Sequence, residues 1–118
     1  MTQKLGNHYI IDFSVDKISY NDINSVPFLK NICLKLIKLL KLNYLGELSH
    51  IFNPQGVSII MLLSESHISI HTYPEFFKVS LDIYSCTKNE INIEIICTFL
   101  KNNFNIINIV YKNIPRIV

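Results

Sequence analysis

Residues 64–75 read Ser64-Glu65-Ser66-His67-Ile68-Ser69-Ile70-His71-Thr72-Tyr73-Pro74-Glu75, a run in which hydroxyl, imidazole and carboxylate side chains are denser than elsewhere in the chain. From residue 67 to residue 72 polar and apolar side chains alternate, which predicts an extended strand with His67 and His71 on one face. If its pairing is regular, Ser66 falls on the opposite face, beside Ile68. A bend or a chain break is then needed before the Ser66 hydroxyl can join His71.

Two more predicted strands flank this one. Residues 57–63 are apolar apart from Ser58, which predicts a strand buried on both faces, and residues 78–85 alternate again. Three neighbouring strands that meet around Ser66 indicate an antiparallel sheet. The same patterns predict strands at residues 5–13, 48–52 and 105–111.

Two helices complete the predicted fold. Ser25 can cap the first helix and Pro27 suits its first turn, and an apolar stripe continues to about residue 44, before Gly46. The run Thr87-Lys88-Asn89-Glu90 has capping-box spacing ahead of a second helix. The sequence therefore predicts an α+β fold, an antiparallel β-sheet with two helices packed on one face.

The composition limits the kind of protein. The chain has 118 residues, 49% of them hydrophobic, which suits one domain over residues 1–118. Its net charge of +2 comes from dispersed lysines, so we predict no nucleic-acid partner. No apolar run reaches the ~18 residues that span a bilayer and no leader pattern is present, which predicts no membrane contact and a cytoplasmic location. Three cysteines without ligand-pair spacing fit a reducing compartment.

The polar residues of the central stretch admit several kinds of chemistry. His67 and His71, four apart on a strand, could both reach one metal ion, but the sequence offers no third ligand at a helpful spacing, so we predict no metal. Ser66, His71 and Asp82 are the residue types of a hydrolase triad, although no nucleophile elbow is present. His71 can also move protons near neutral pH.

The central stretch resembles, almost residue for residue, the processing site of the short prokaryotic pyruvoyl-dependent S-adenosylmethionine decarboxylases. Leu5-Gly6-Asn7-His8, residues 52–58 and residues 81–86 resemble further motifs of that family, in the same order. The resemblance implies an α+β fold and a proenzyme that cuts itself between Glu65 and Ser66, giving a β chain of residues 1–65 and an α chain of residues 66–118. Ser66 then becomes the pyruvoyl group, the covalent cofactor.

The resemblance also implies how the cut is made. The Ser66 hydroxyl attacks the preceding carbonyl to give an ester, and elimination and hydrolysis leave pyruvoyl and ammonia. His71 is the residue for proton transfer in processing. Ser58 matches a residue that assists it.

Further residues are implied to serve the decarboxylation. The substrate amine forms a Schiff base at position 66, and Cys86 donates the proton that replaces the lost carboxylate. Phe52 matches an adenine-stacking aromatic residue and Glu75 an acidic residue near the ribose, and we include His67 among the substrate-binding residues. Cys33 and Cys97 lie in apolar helical stripes and are predicted to be core residues.

The implied activity is decarboxylation of S-adenosylmethionine to S-adenosylmethioninamine for spermidine and polyamine biosynthesis, by a homodimer of cleaved protomers with two α and two β chains. Two alternatives stay open. One is a pyruvoyl-dependent decarboxylase of arginine or ornithine, and the other is an uncleaved, non-catalytic partner of a homologue. The sequence departs from the family pattern at Asn7, Tyr73, Thr87 and residues 76–78, which leaves substrate identity less firmly implied than cleavage.

Overall fold

The computed structural model describes residues 1–86 and 90–118, and within them six strands form one antiparallel sheet. The order across the sheet is β2-β3-β4-β5-β1-β6. The strands are β1 Lys4–Val15, β2 Tyr44–Ile51, β3 Val57–Leu63, β4 Ser66–Tyr73, β5 Lys78–Cys86 and β6 Ile106–Ile117. The helices are α1 Tyr20–Ile23, α2 Val26–Leu39 and α3 Ile93–Asn103. The predicted α+β class is confirmed, and β3, β4 and β5 are neighbours as predicted.

The two long helices cover one face of the sheet. The side chains of Ile68 and Ile70 on β4 are buried in one core cluster with Leu36 of α2 and Ile96 of α3. The helix starts follow from local capping: the Ser25 hydroxyl accepts a hydrogen bond from the Phe28 amide at 3.2 Å, as predicted. No helix among the described residues is both long and apolar enough to cross a membrane.

Several element bounds differ from the predictions, most of all those of α2, β2, α3 and β6. Helix α2 ends at Leu39 rather than near residue 44, because residues 44–51 pair with β3 as a strand that includes Gly46. Helix α3 begins at Ile93 with Asn92 as its cap, so Glu90 lies outside it, and Thr87 lies outside the described residues. Strand β6 continues to Ile117 and includes Pro115, which an edge strand tolerates.

The other face of the sheet carries no helix among the described residues, and we call it the open face. The prediction that β3 is buried on both faces is wrong for this single chain, because Ile60 and Leu62 point to the open face and are 52% and 56% exposed. Their neighbour Leu48 on β2, paired with Ile60, is 80% exposed. The apolar residues of β3 from Ile59 onward therefore include an apolar patch that this chain alone leaves in water.

Candidate active site

The bond between Glu65 and Ser66 lies at the tip of a tight hairpin. Strands β3 and β4 are joined by two residues, Ser64 and Glu65, and Leu63 pairs with Ser66. Glu65 has a φ of 63°, in the left-handed region that costs a residue with a Cβ on the order of 1 kcal/mol. Lys41 and Phe77 share this conformation at other chain reversals. The bond that would be cut thus follows a residue under modest backbone strain.

Ser66 begins β4 and its side chain lies on the helix-covered face with Ile68, as the alternation predicts. The residue is 9% exposed, and its Oγ is a buried atom with no hydrogen-bond partner among the described residues. A buried hydroxyl without a partner is uncommon and costs stability. The strand shows no bend between Ser66 and His71, so the two side chains stay on opposite faces.

Cys86 lies beside this hairpin on the open face. Ser66 pairs with Ser85, and the Cys86 Sγ that follows donates a hydrogen bond of 3.3 Å to the Glu65 carboxylate Oε2. The capping run predicted to follow Cys86 begins at Thr87, outside the described residues, and helix α3 begins at Ile93. We call Glu65, Ser66 and Cys86 the cleavage end of the sheet.

Ser58 and His71 face each other across β3 and β4, again on the open face. Ser58 Oγ and His71 Nδ1 are 2.6 Å apart, a hydrogen bond that fixes the imidazole. Phe52 lies just after β2 and its exposed ring packs edge-on against His50 at 4.7 Å. Glu75 is exposed in the short turn that follows β4. We call Phe52, Ser58, His71 and Glu75 the histidine end.

The two ends are far apart within one chain. Five residues separate Ser66 from His71 along β4, which at the rise of a strand is about 17 Å. Cys86 lies six residues beyond Ser80, the residue paired with His71, or about 20 Å away. One chain therefore holds every predicted site residue on the sheet or at its margins but does not bring His71 to Ser66.

The geometry removes two alternatives. His67 and His71 are four residues apart on a regular strand, about 13 Å, so the arrangement in which both reach one metal ion is not present. The described residues contain no cluster of three or more His, Cys, Asp or Glu side chains suited to a metal. A triad of Ser66, His71 and Asp82 is also absent, because Asp82 Oδ1 bonds His8 Nε2 at 3.1 Å.

His67 lies at the cleavage end in a row of stacked groups. Its ring stacks on Tyr84 with centroids 5.7 Å apart, and the Arg116 guanidinium lies 5.9 Å from the Tyr84 centroid on β6. A Cβ on Gly6 would approach the Tyr84 hydroxyl to 2.9 Å and the Ser85 carbonyl to 2.4 Å, so only glycine fits beneath Tyr84. His67, Tyr84 and Arg116 line a groove of about 300 Å³ with Leu5 and the chain end.

The three thiols differ in accessibility. Cys33 and Cys97 are buried in the helices, as predicted, and burial raises the pKa of Cys33 to about 12 and also raises the pKa of Cys97. Both thiols are therefore protonated at neutral pH. Cys86 is partly exposed at the cleavage end.

We expect one thiol per chain of the native protein to react rapidly with a chromogenic disulfide reagent. The Cys86→Ala variant should lack this fast reaction. Cys33 and Cys97 should react only when urea unfolds the protein, because reaction requires an accessible thiolate. A stopped-flow thiol titration checks this. Three thiols of equal rate in the native protein would contradict the burial of Cys33 and Cys97.

His50 was not identified from the sequence. It lies opposite Ser58 on the open face, next to the Ser58–His71 bond, and supports the ring of Phe52. Its signal was only its place in the strand that the sequence pattern predicted over residues 48–52, which the structure extends to Tyr44–Ile51. Asn7 was noted only as a departure from the family pattern. Its burial beside Ser85 became visible only with the register of the sheet.

Comparison with known proteins agrees with this arrangement. A family model described as S-adenosylmethionine decarboxylase matches residues 7–117. The S-adenosylmethionine decarboxylase proenzyme of Symbiobacterium thermophilum is 34% identical over 96 residues, 81% of this chain and 70% of that protein. A proenzyme 2 of the same name from Bacillus anthracis is 34% identical over 117 residues, 96% of this chain and 93% of that protein.

Solved structures share the fold. The adenosylmethionine decarboxylase of Aquifex aeolicus VF5 matches with a TM-score of 0.78 at 25% identity, over 97% of this chain and 92% of that one. The Trypanosoma brucei AdoMetDC-delta26 monomer matches with a TM-score of 0.59 at 14% identity, over 90% of this chain and 44% of that one, a likeness of fold alone.

The fold, the β3–β4 hairpin and the matched sequences together assign this chain to one class of enzymes, the carboxy-lyases that are made as proenzymes. Within that class, the chain belongs to the S-adenosylmethionine decarboxylase family.

Proposed function

We propose that this chain is a proenzyme that cuts itself between Glu65 and Ser66, converts Ser66 to a pyruvoyl group, and decarboxylates S-adenosylmethionine in the cytoplasm for polyamine synthesis. The observation that carries the proposal is the position of Ser66. It is the first residue of β4, follows a strained hairpin residue and has a buried hydroxyl without a partner among the described residues. A serine placed so has no evident structural purpose.

A pyruvoyl group at position 66 fits the structure. Strand β4 pairs with β3 on one side and β5 on the other, so a new chain end at residue 66 would stay anchored by both neighbours. The group supplies a ketone that withdraws electrons from a bound amino acid. The chain of residues 1–65 would keep its place through β1, β2 and β3, which remain paired in the sheet.

The residues around it suit the roles that the resemblance implies. Cys86 contacts Glu65 at the scissile bond and would deliver a proton there. The exposed ring of Phe52 is available to stack on adenine, and the exposed carboxylate of Glu75 can accept hydrogen bonds from ribose hydroxyls. His67 presents a ring stacked on Tyr84 next to position 66, where it would bound the substrate.

We further propose a homodimer, because one chain leaves its own site incomplete. The Ser58–His71 pair lies about 17 Å from Ser66, yet cleavage needs a proton-transfer group at the bond. A second chain packed open face to open face about a two-fold axis would place its histidine end over the first chain's cleavage end. It would also cover the exposed side chains of Leu48, Ile60 and Leu62.

S-adenosylmethionine is favoured over arginine or ornithine. The relatives that match most of this chain are named S-adenosylmethionine decarboxylase proenzymes. Phe52 and Glu75, each exposed at the histidine end, suit an adenosyl group better than an aliphatic side chain. A panel of the three amino acids, with release of carbon dioxide as the readout, tests this choice.

The direct test of self-cleavage is the intact mass of the purified protein under denaturing conditions, beside Ser66→Ala. We expect fragments 1–65 and 66–118, the second lighter by one ammonia than a chain that begins with serine. Ser66→Ala should give one uncut chain of 118 residues. Uncut wild-type protein would overturn the proposal and favour a non-catalytic partner of a homologue.

A further inference from the structure

A row of buried polar side chains crosses the helix-covered face at the level of the scissile bond. Asn7 on β1 pairs with Ser85 on β5, and Ser85 pairs with Ser66 on β4. All three side chains point to the face that otherwise holds the apolar core, and their exposures are 1%, 0% and 9%. The row is thus a polar strip within a mainly apolar interior.

Asn7 is the member of this row whose burial costs the most folding free energy. Neither its Oδ1 nor its Nδ2 has a hydrogen-bond partner within the described part of the chain, and Ser66 Oγ has none either. Those three atoms are the buried polar side-chain atoms left without a partner among the described residues. Native proteins satisfy nearly all such groups, and a leucine of similar size would avoid the penalty.

The position of Asn7 in the sheet indicates a role that would explain why an unpaired polar side chain is buried there. Adjacent strands are about 4.8 Å apart, so Asn7 and Ser66 lie on either side of the one residue, Ser85, that separates them. The Ser85 hydroxyl donates a hydrogen bond of 3.5 Å to the Cys86 carbonyl. Its oxygen lone pairs can accept hydrogen bonds from the Asn7 amide on one side and the Ser66 hydroxyl on the other. His71 lies on the opposite face and far along β4, so it does not orient this hydroxyl within its own chain.

We propose that Asn7 is a positioning residue for the first step of self-cleavage, in which it acts through Ser85 to hold the Ser66 hydroxyl towards the Glu65 carbonyl carbon. In this step a bond forms between Ser66 Oγ and that carbon, the C–N bond to Ser66 breaks, and the hydroxyl proton passes to the released amine. The product is an ester. Elimination, which removes the Ser66 α-proton, is the later step and belongs to His71.

This inference rests on the proposed self-cleavage, and its test separates the two steps. Hydroxylamine cuts an ester but leaves a peptide bond intact under mild conditions. We would synthesise the full chain without cells and follow its intact mass over time, with and without hydroxylamine, for wild type, Asn7→Leu, Ser85→Ala and His71→Ala.

We expect Asn7→Leu to slow cleavage about tenfold or more, the effect of losing one hydrogen bond that orients a reacting group. Its uncut chain should resist hydroxylamine, because no ester has formed, and Ser85→Ala should behave alike. His71→Ala should accumulate an ester that hydroxylamine cuts. Asn7→Leu should also raise Tm, since it removes unpaired polar atoms from the interior, whereas a structural asparagine would lower it.

Thr72→Val is the matched control. Thr72 lies on β4 on the same buried face, and its Oγ1 accepts a hydrogen bond of 3.0 Å from the Val57 amide. This variant should lower Tm and cleave at the wild-type rate. Wild-type cleavage in Asn7→Leu, or cutting of its uncut chain by hydroxylamine as fast as in His71→Ala, would overturn the role of Asn7 alone. Failure of the wild type to cleave would remove the proposed function together with it.

Discussion

His71→Ala purified alone should remain uncut, yet it should be cut when it is assembled with Ser66→Ala. The first chain retains Ser66 and the second retains His71, so a mixed dimer has one complete site. This follows from the distance of about 17 Å between the two residues in one chain. If the subunits combine at random, about half of the His71→Ala chains should be cut.

The measurement is the intact mass of co-expressed chains, one of which carries a tag that separates their masses. Only the His71→Ala chain should give fragments 1–65 and 66–118. His8→Ala is the matched control, because it also removes an imidazole from the open face but one held by Asp82. The His8→Ala chain expressed alone should be cleaved completely. Cutting of His71→Ala in isolation would show that His71 is not needed, and no cutting in the mixture would place the complete site within one chain.

The sheet was predictable because its signals are local. Alternation in residues 78–85 gave β5 its buried and open faces, and the capping residues Ser25 and Pro27 marked the start of α2. The end of α2 was not predictable in this way. The apolar stripe continues past Leu39, but pairing with β3 draws residues 44–51 into the sheet, a contact between residues far apart in sequence.

The candidate site, like the fold, was predictable where its signals are local and not where they depend on distant residues. Alternation in β4 correctly set Ser66 on the opposite face from His71, but the bend expected to bring the two together is absent from the regularly paired strand. What the sequence did not reveal depends on neighbours across the sheet. The exposure of Ile60 and Leu62, the place of His50 beside Ser58, and the row from Asn7 to Ser66 all follow from register, which no single strand encodes.

Cys86→Ala should leave cleavage complete while decarboxylation falls by about 10²- to 10⁴-fold, the usual contribution of a positioned general acid. Cys86 lies on the open face at the cleavage end, with its Sγ 3.3 Å from the Glu65 carboxylate, whereas Ser66 Oγ lies on the other face. The thiol is thus placed to protonate a substrate held at residue 66 rather than to orient the serine hydroxyl. Intact mass and release of carbon dioxide measure the two steps separately.

Cys97→Ala separates this effect from the loss of any thiol. Cys97 is buried in α3 away from the cleavage end, so its removal should lower Tm through lost packing and leave kcat unchanged. Cleaved Cys86→Ala with full activity would mean that another group delivers the proton. An uncut Cys86→Ala chain would instead mean that the contact between Cys86 and Glu65 holds the hairpin in its reactive conformation, which would make Cys86 a processing residue.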